Sequence, residues 1–251
     1  MTRRRLAGTA ITGILLLLGI LVAAYQTRDG ARPAPSAGPG AESAPGETID
    51  AMSCARQVAS MPIRDRLAQR LMVGVDPADP GGAISVVRTA HVGGIFIGGT
   101  ATQILLGDHL RALQEAARTP VAVAVDDEGG RVQRIGTVDG AIPSARAMAG
   151  SLSPEQVRQL AHERGNALRA HGVTIDLAPV VDVSDQPATA VIGDRSFSPD
   201  PGITTTYAGA FASGLRDAGV LPVLKHFPGH GRATGDSHRG VVTTPALDDL
   251  Q

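Results

Sequence analysis

Between residues 63 and 224 two apolar patterns alternate along the chain. Short runs in which every position is apolar suit strands buried on both faces. Stretches with an apolar side chain every third or fourth position suit helices. Ile63, Leu67 and Leu71 have helical spacing and lead into a first strand over 71–75. A short helix over 84–89 and a second strand over 92–97 follow, the latter closed by Gly98-Gly99. Residues 101–118 place Ile104, Leu105, Leu110, Leu113 and Ala117 at helical period, and Pro120 then opens a third strand over 121–125 with no alternation. Ser153-Pro154-Glu155-Gln156 has the marks of a helix start: a capping hydroxyl, Pro in the first turn and an early acid. That helix is expected to run to about His171 and stop at Gly172. A fourth strand over 173–180, a helix opened by Asp200-Pro201 and ending near Ala218-Gly219, and a buried fifth strand over 220–224 complete the pattern.

Strands that alternate with helices predict a parallel sheet with helical crossovers. Either a barrel or an open doubly wound sheet would satisfy this. No Gly-x-Gly-x-x-Gly follows the first strand, which weakens a dinucleotide-binding sheet. Polar clusters follow strands three, four and five, where an α/β barrel builds its mouth. The expected fold is therefore α/β, an incomplete (β/α)8 TIM barrel with about the first five β/α units, since a full barrel takes roughly 250 residues.

The amino terminus carries Arg3-Arg4-Arg5, an apolar run over 6–24, and small residues at Val22-Ala23-Ala24. Residues 1–26 read as a signal peptide or membrane anchor. Residues 27–50 are a linker rich in Gly, Pro and Ala, and 51–251 form the folded part. The expectation is an exported protein, extracytoplasmic in the cell envelope or membrane-anchored, touching membrane only through its first segment. No Cys directly follows the apolar run, so no lipoprotein signal is visible. Residues 247–251 read as the opening of a helix without a stop signal, so the chain is expected to be truncated.

Composition then narrows the chemistry. A formal net charge of −1 gives no footprint for nucleic acid, and aromatics at 2% with no Trp leave few stacking platforms for bases. The same scarcity counts mildly against a sugar site with an aromatic floor. The single cysteine, Cys54, excludes an internal disulfide framework.

Chemistry-bearing residues gather in one stretch, Lys225-His226-Phe227-Pro228-Gly229-His230-Gly231, followed by Asp236-Ser237-His238. It holds three of the seven histidines and the chain's sole lysine; every other basic residue is arginine. A compact ammonium is evidently wanted there rather than a fork. Asp236 beside His238 can fix the ring's tautomer and raise its basicity, which suits a general acid/base. His226, His230, Asp236 and His238 are also possible zinc ligands. No His-Glu-x-x-His or paired cysteines accompany them, and a lysine repels a cation. After the third strand, Asp126-Asp127-Glu128-Gly129-Gly130-Arg131-Val132-Gln133-Arg134 offers carboxylates and guanidinium groups that can each bind neighbouring hydroxyls. Arg195, in Gly193-Asp194-Arg195-Ser196-Phe197, is either a second anchor or a structural partner of Asp194 or Asp182.

These three stretches, in this order, resemble the motifs of glycoside hydrolase family 3 in its β-N-acetylhexosaminidase branch, over about residues 66–251. The exported, linker-bearing form is similar to actinobacterial members. The resemblance implies a retaining exo-β-N-acetylglucosaminidase acting on cell-wall muropeptides that carry N-acetylglucosamine. It assigns His238 as acid/base with Asp236 as its partner, and Asp126, Arg134, Arg195, Lys225 and His226 as binders of the terminal sugar. No metal or cofactor is expected, and a monomer is. A β-glucosidase of the same family fits less well, because the Asp-x-His element belongs to the hexosaminidase branch. One departure matters: the family's nucleophile is an aspartate in a late Ser-Asp-Asp-type motif, to which nothing here can be matched. The alternative reading is an exported sugar- or peptidoglycan-binding protein without turnover.

Overall fold

The computed structural model describes residues 51–233, 235–246 and 248, with side chains from residue 54 onward. The expected signal or anchor segment, the linker, and most of the helix opening over 247–251 lie outside the described residues. Helix α1 (Ala51–Ser60) and helix α2 (Ile63–Ala68) precede β1 (Met72–Val75). Then follow α3 (Pro80–Ala90), β2 (Gly94–Ile97), α4 (His109–Ala116), β3 (Ala122–Val125), α5 (Ala145–Ser151) and α6 (Pro154–Ala170). The order continues with β4 (Ile175–Asp176), α7 (Pro201–Asp217) and β5 (Leu221–Pro222). No helix among the described residues is long and apolar enough to cross a membrane.

The strands form one parallel sheet in the order β1-β2-β3-β4-β5. Each strand lies beside its predecessor in sequence, so every link is a crossover. The apolar runs at the sheet's centre explain themselves: Val123, Ala124 and Val125 are wholly buried, as are Ile95 and Ile97. Ile95, Ile97, Val123 and Val125 share one core with Leu113 of α4, Leu168 of α6, and Phe211 and Leu215 of α7. Helix starts obey their caps. Asp79 and Asp200 accept the amides of Gly82 and Ile203, and Ser153 closes a reciprocal capping box with Gln156.

Four expectations need correction. Residues 101–118 are not one helix: a 3-10 turn at Gln103–Leu105 comes first, and Gly107, at φ 59°, separates it from α4. The fourth and fifth strands are shorter than expected, two residues each in the ladder. Pro179 and Pro222 have no amide to donate there. The fifth strand is not buried, for Leu221 and Leu224 stand 58% and 55% exposed beside a buried Val220. Ile63, Leu67 and Leu71 have helical spacing, yet all three face outward. Helix α5 carries no long apolar stripe and was not expected.

Candidate active site

The polar clusters of the sequence meet beyond the carboxyl ends of β3, β4 and β5. Strand β3 runs straight into Asp126, Asp127 and Glu128. Gly129 and Gly130 then turn the chain at φ 93° and 59°, and a Cβ on Gly129 would sit 2.3 Å from the Pro143 carbonyl oxygen. Only glycine fits both that conformation and that contact. The turn brings Arg134 back against the start of its own loop, where Nη2 donates to Asp126 Oδ2 at 3.2 Å and Nη1 to the Gly99 carbonyl.

Lys225, at the end of the fifth segment, joins the two acids. Its Nζ lies 3.0 Å from Asp126 Oδ1 and 2.6 Å from Glu128 Oε1. Arg195 closes the group with a two-pronged bond to Glu128, Nε to Oε2 at 2.7 Å and Nη2 to Oε1 at 2.8 Å. His226 Nε2 approaches the Arg195 guanidinium at 3.5 Å while its Nδ1 faces Asp182. The five expected sugar-binding residues, Asp126, Arg134, Arg195, Lys225 and His226, are therefore brought into one polar cluster. Arg195 pairs neither with Asp194, which Arg131 takes, nor with Asp182, which His226 takes.

Two groups, Arg195 and Asp182, are favoured in their charged forms by their partners. Burial opposes the charge on Arg195, but the Glu128 carboxylate beside it raises the guanidinium's pKa overall. Burial likewise pushes Asp182 up; the bond to His226 and the amides of His230 and Gly231 outweigh it and hold the carboxyl below its usual range. Among the described residues, the Arg134 Nε is buried without a hydrogen-bond partner. A buried unsatisfied donor of this kind is costly unless a ligand meets it.

Asp236 and His238 pair with each other but stand apart from this cluster. The His238 ring Nδ1 lies 2.7 Å from Asp236 Oδ1, which also accepts the His238 amide at 3.0 Å. These bonds, the amide first, hold the Asp236 carboxyl below its usual range. With Nδ1–H directed at a carboxylate, Nε2 is the nitrogen free to give or take a proton. The His238 side chain is 81% exposed, on a loop tied back by the His230–Ser237 contact. No hydrogen bond among the described residues joins the pair to the anchor. No group of three or more His, Cys, Asp or Glu residues among them gathers as a metal ion would require.

Two members of the cluster, Glu128 and Asp182, were not singled out as site residues from the sequence. Glu128 lay inside the loop already marked, but its partner Arg195 is 67 residues away and no local pattern pairs them. From the sequence Asp182 is only a possible structural partner of Arg195, whereas it faces the His226 ring instead.

Residues 62–251 match the family model described as the glycosyl hydrolase family 3 N terminal domain. The β-hexosaminidase LpqI of Mycobacterium tuberculosis is 57% identical over 190 residues, which cover 74% of this chain and 48% of that protein. The chain thus spans about half the length of this curated relative. A solved glycosyl hydrolase of the same family from Mycobacterium smegmatis superposes with a TM-score of 0.72 at 55% identity, covering 77% of this chain and 58% of that one. NagZ from Neisseria gonorrhoeae, solved in complex with N-trifluoroacetyl-D-glucosamine, superposes with a TM-score of 0.59 at 26% identity, covering 72% and 56% respectively. The described α/β sheet, its polar mouth and these matches agree: the chain belongs to glycosyl hydrolase family 3.

Proposed function

We propose that this chain is the amino-terminal part of a (β/α)8 barrel that removes terminal N-acetylglucosamine from cell-wall muropeptides outside the cytoplasm, with retention of configuration. The observation that carries this reading is the anchor itself. Two carboxylates, Asp126 and Glu128, are locked to Arg134, Arg195 and Lys225 at one end of a parallel sheet. Such a ring of fixed donors and acceptors suits the adjacent hydroxyls of one sugar. The names of the relatives support a hexosaminide over a glucoside. In this reading Asp126, Arg134, Arg195, Lys225 and His226 hold the terminal sugar. His238, oriented by Asp236, protonates the leaving oxygen and later takes a proton from water.

Retention needs a nucleophile on the opposite face of the anomeric carbon. The 251 residues contain no match to the family's nucleophile motif, so this stretch by itself is proposed to bind sugar without turning it over. The test compares this chain with the natural polypeptide of its own cells, using a chromogenic β-N-acetylglucosaminide and the matching β-glucoside. Turnover of the first substrate by the natural polypeptide alone is the expected result. Sugar binding without turnover by either form would favour a binding protein instead.

A further inference from the structure

Beneath the anchor lies a second polar group, built on a buried ion pair. Asp127 is 0% exposed and Arg164, from the middle of α6, has a side chain 3% exposed. Arg164 Nε donates to Asp127 Oδ1 at 2.6 Å and Nη2 to Oδ2 at 3.2 Å. Asp127 Oδ2 also accepts the main-chain amides of Arg134 at 2.6 Å and Ile135 at 3.1 Å. The Asp127 amide, in turn, donates to Asp176 Oδ1 on β4 at 2.9 Å. Arg164 reaches further, to the Gln133 side chain and the Gly140 carbonyl.

The Asp127 carboxylate therefore joins the two ends of the 126–135 loop to each other and to α6, and its main-chain amide ties the same residue to β4. The loop's ends are the residues that matter for a sugar: Asp126 and Glu128 flank Asp127, and Arg134 donates its own amide to it. A lone carboxylate in such a place would be prohibitively costly. The two-pronged Arg164 supplies the missing charge and uses both oxygens, which a lysine could not do. Asp127 and Arg164 are both too buried to touch a ligand themselves.

We propose that Asp127, locked by Arg164, is the positioning residue that fixes both ends of the 126–135 loop and, through them, the spacing of Asp126, Glu128 and Arg134. The part concerning sugar rests on the function proposed above. A sugar held equally in ground and transition states makes the anchor a contributor to KM rather than to kcat.

The experiment uses the natural polypeptide with Asp127→Asn, Arg164→Met, the double variant, and Arg164→Lys as a milder change that keeps the charge. Hydrogen exchange is read at the Arg134 and Ile135 amides without any sugar, and KM and kcat on a chromogenic N-acetylglucosaminide at a temperature where each variant is folded. The expected result is at least tenfold faster exchange at those amides in Asp127→Asn. KM should rise about tenfold in each of Asp127→Asn and Arg164→Met with kcat within about threefold, and less in Arg164→Lys. The double variant should be no worse than the worse single, because the pair acts as a unit. Variants that melt earlier but keep the original KM and exchange rates would overturn the proposal, since the pair would then only stabilise the fold. A wild-type protein that neither binds nor cleaves the sugar would sink the functional reading alone; exchange at the two amides would still decide whether Asp127 locks the loop.

Discussion

Asp176 shows how far a single carboxyl can depart from ordinary behaviour. It is wholly buried; Oδ1 accepts the Asp127 amide and Oδ2 has no hydrogen-bond partner among the described residues. Burial, helped by the nearby Asp127 charge, raises its pKa well above the usual range. The neighbouring acids all have cations or a histidine facing them: Asp126 has Arg134 and Lys225, Asp127 has Arg164, Glu128 has Arg195, and Asp182 has His226. Asp176 forms no ion pair among the described residues, and burial outweighs the more distant Lys225 charge to favour its neutral form. The sign of the linkage follows. Unfolded, the group loses its proton near pH 4; folded, it keeps it, so stability is full below that value and declines as pH rises towards the raised pKa. Asp176→Asn, uncharged at every pH, should match the wild type in thermal melts near pH 4 and exceed it at neutral pH. Equal melting differences at both pH values would contradict the assignment.

At the level of elements, the packing of α6 on α7 is set by glycine. A Cβ on Gly214 would fall 2.2 Å from the Arg158 carbonyl oxygen, and one on Gly165 would meet the Ala218 side chain at 2.6 Å. Gly209, on the exposed side of α7, meets nothing within 4 Å. Gly214→Ala should therefore destabilise by about 1–3 kcal/mol through forced separation of the helices. Gly209→Ala should stabilise by about 0.5–1 kcal/mol through helix propensity alone. Denaturant unfolding of both variants checks the contrast, and a stabilised Gly214→Ala would contradict the close approach. These glycines also show what was legible in the sequence. The central strands and α6 were, because continuous apolar runs and a Ser-Pro-x-Gln cap are local signals. The outward face of Ile63, Leu67 and Leu71 was not, since helical spacing says which residues share a face but not what covers it. Nor was the Glu128–Arg195 pair, which only the sheet brings together. The residues of the anchor were readable as motifs, and the buried Asp127–Arg164 support beneath them was not.

Across the whole molecule, apolar side chains remain uncovered at both margins of the described sheet. Ile63, Leu67, Leu71 and Met72 are exposed around β1, and Leu221, Val223, Leu224 and Phe227 around β5. Each of these strands has one hydrogen-bonded neighbour among the described residues. Exposed sheet margins with apolar flanks invite association. The 251-residue chain on its own should bind a hydrophobic dye and self-associate at micromolar concentration, as light scattering would report. A monomer with a sharp cooperative melt and no dye binding would count against this.

In the function proposed above the anchor holds the sugar and His238, oriented by Asp236, serves as acid/base beside a nucleophile these 251 residues do not supply; turnover by the natural polypeptide with and without His238 tests this most directly. His238→Ala should lower kcat on a chromogenic β-N-acetylglucosaminide by about 10²–10⁴-fold, the usual contribution of a positioned acid/base. Binding of N-acetylglucosamine itself should persist, because the five anchor residues are untouched. A variant as active as the wild type would contradict the account, and so would a natural polypeptide with no turnover at all.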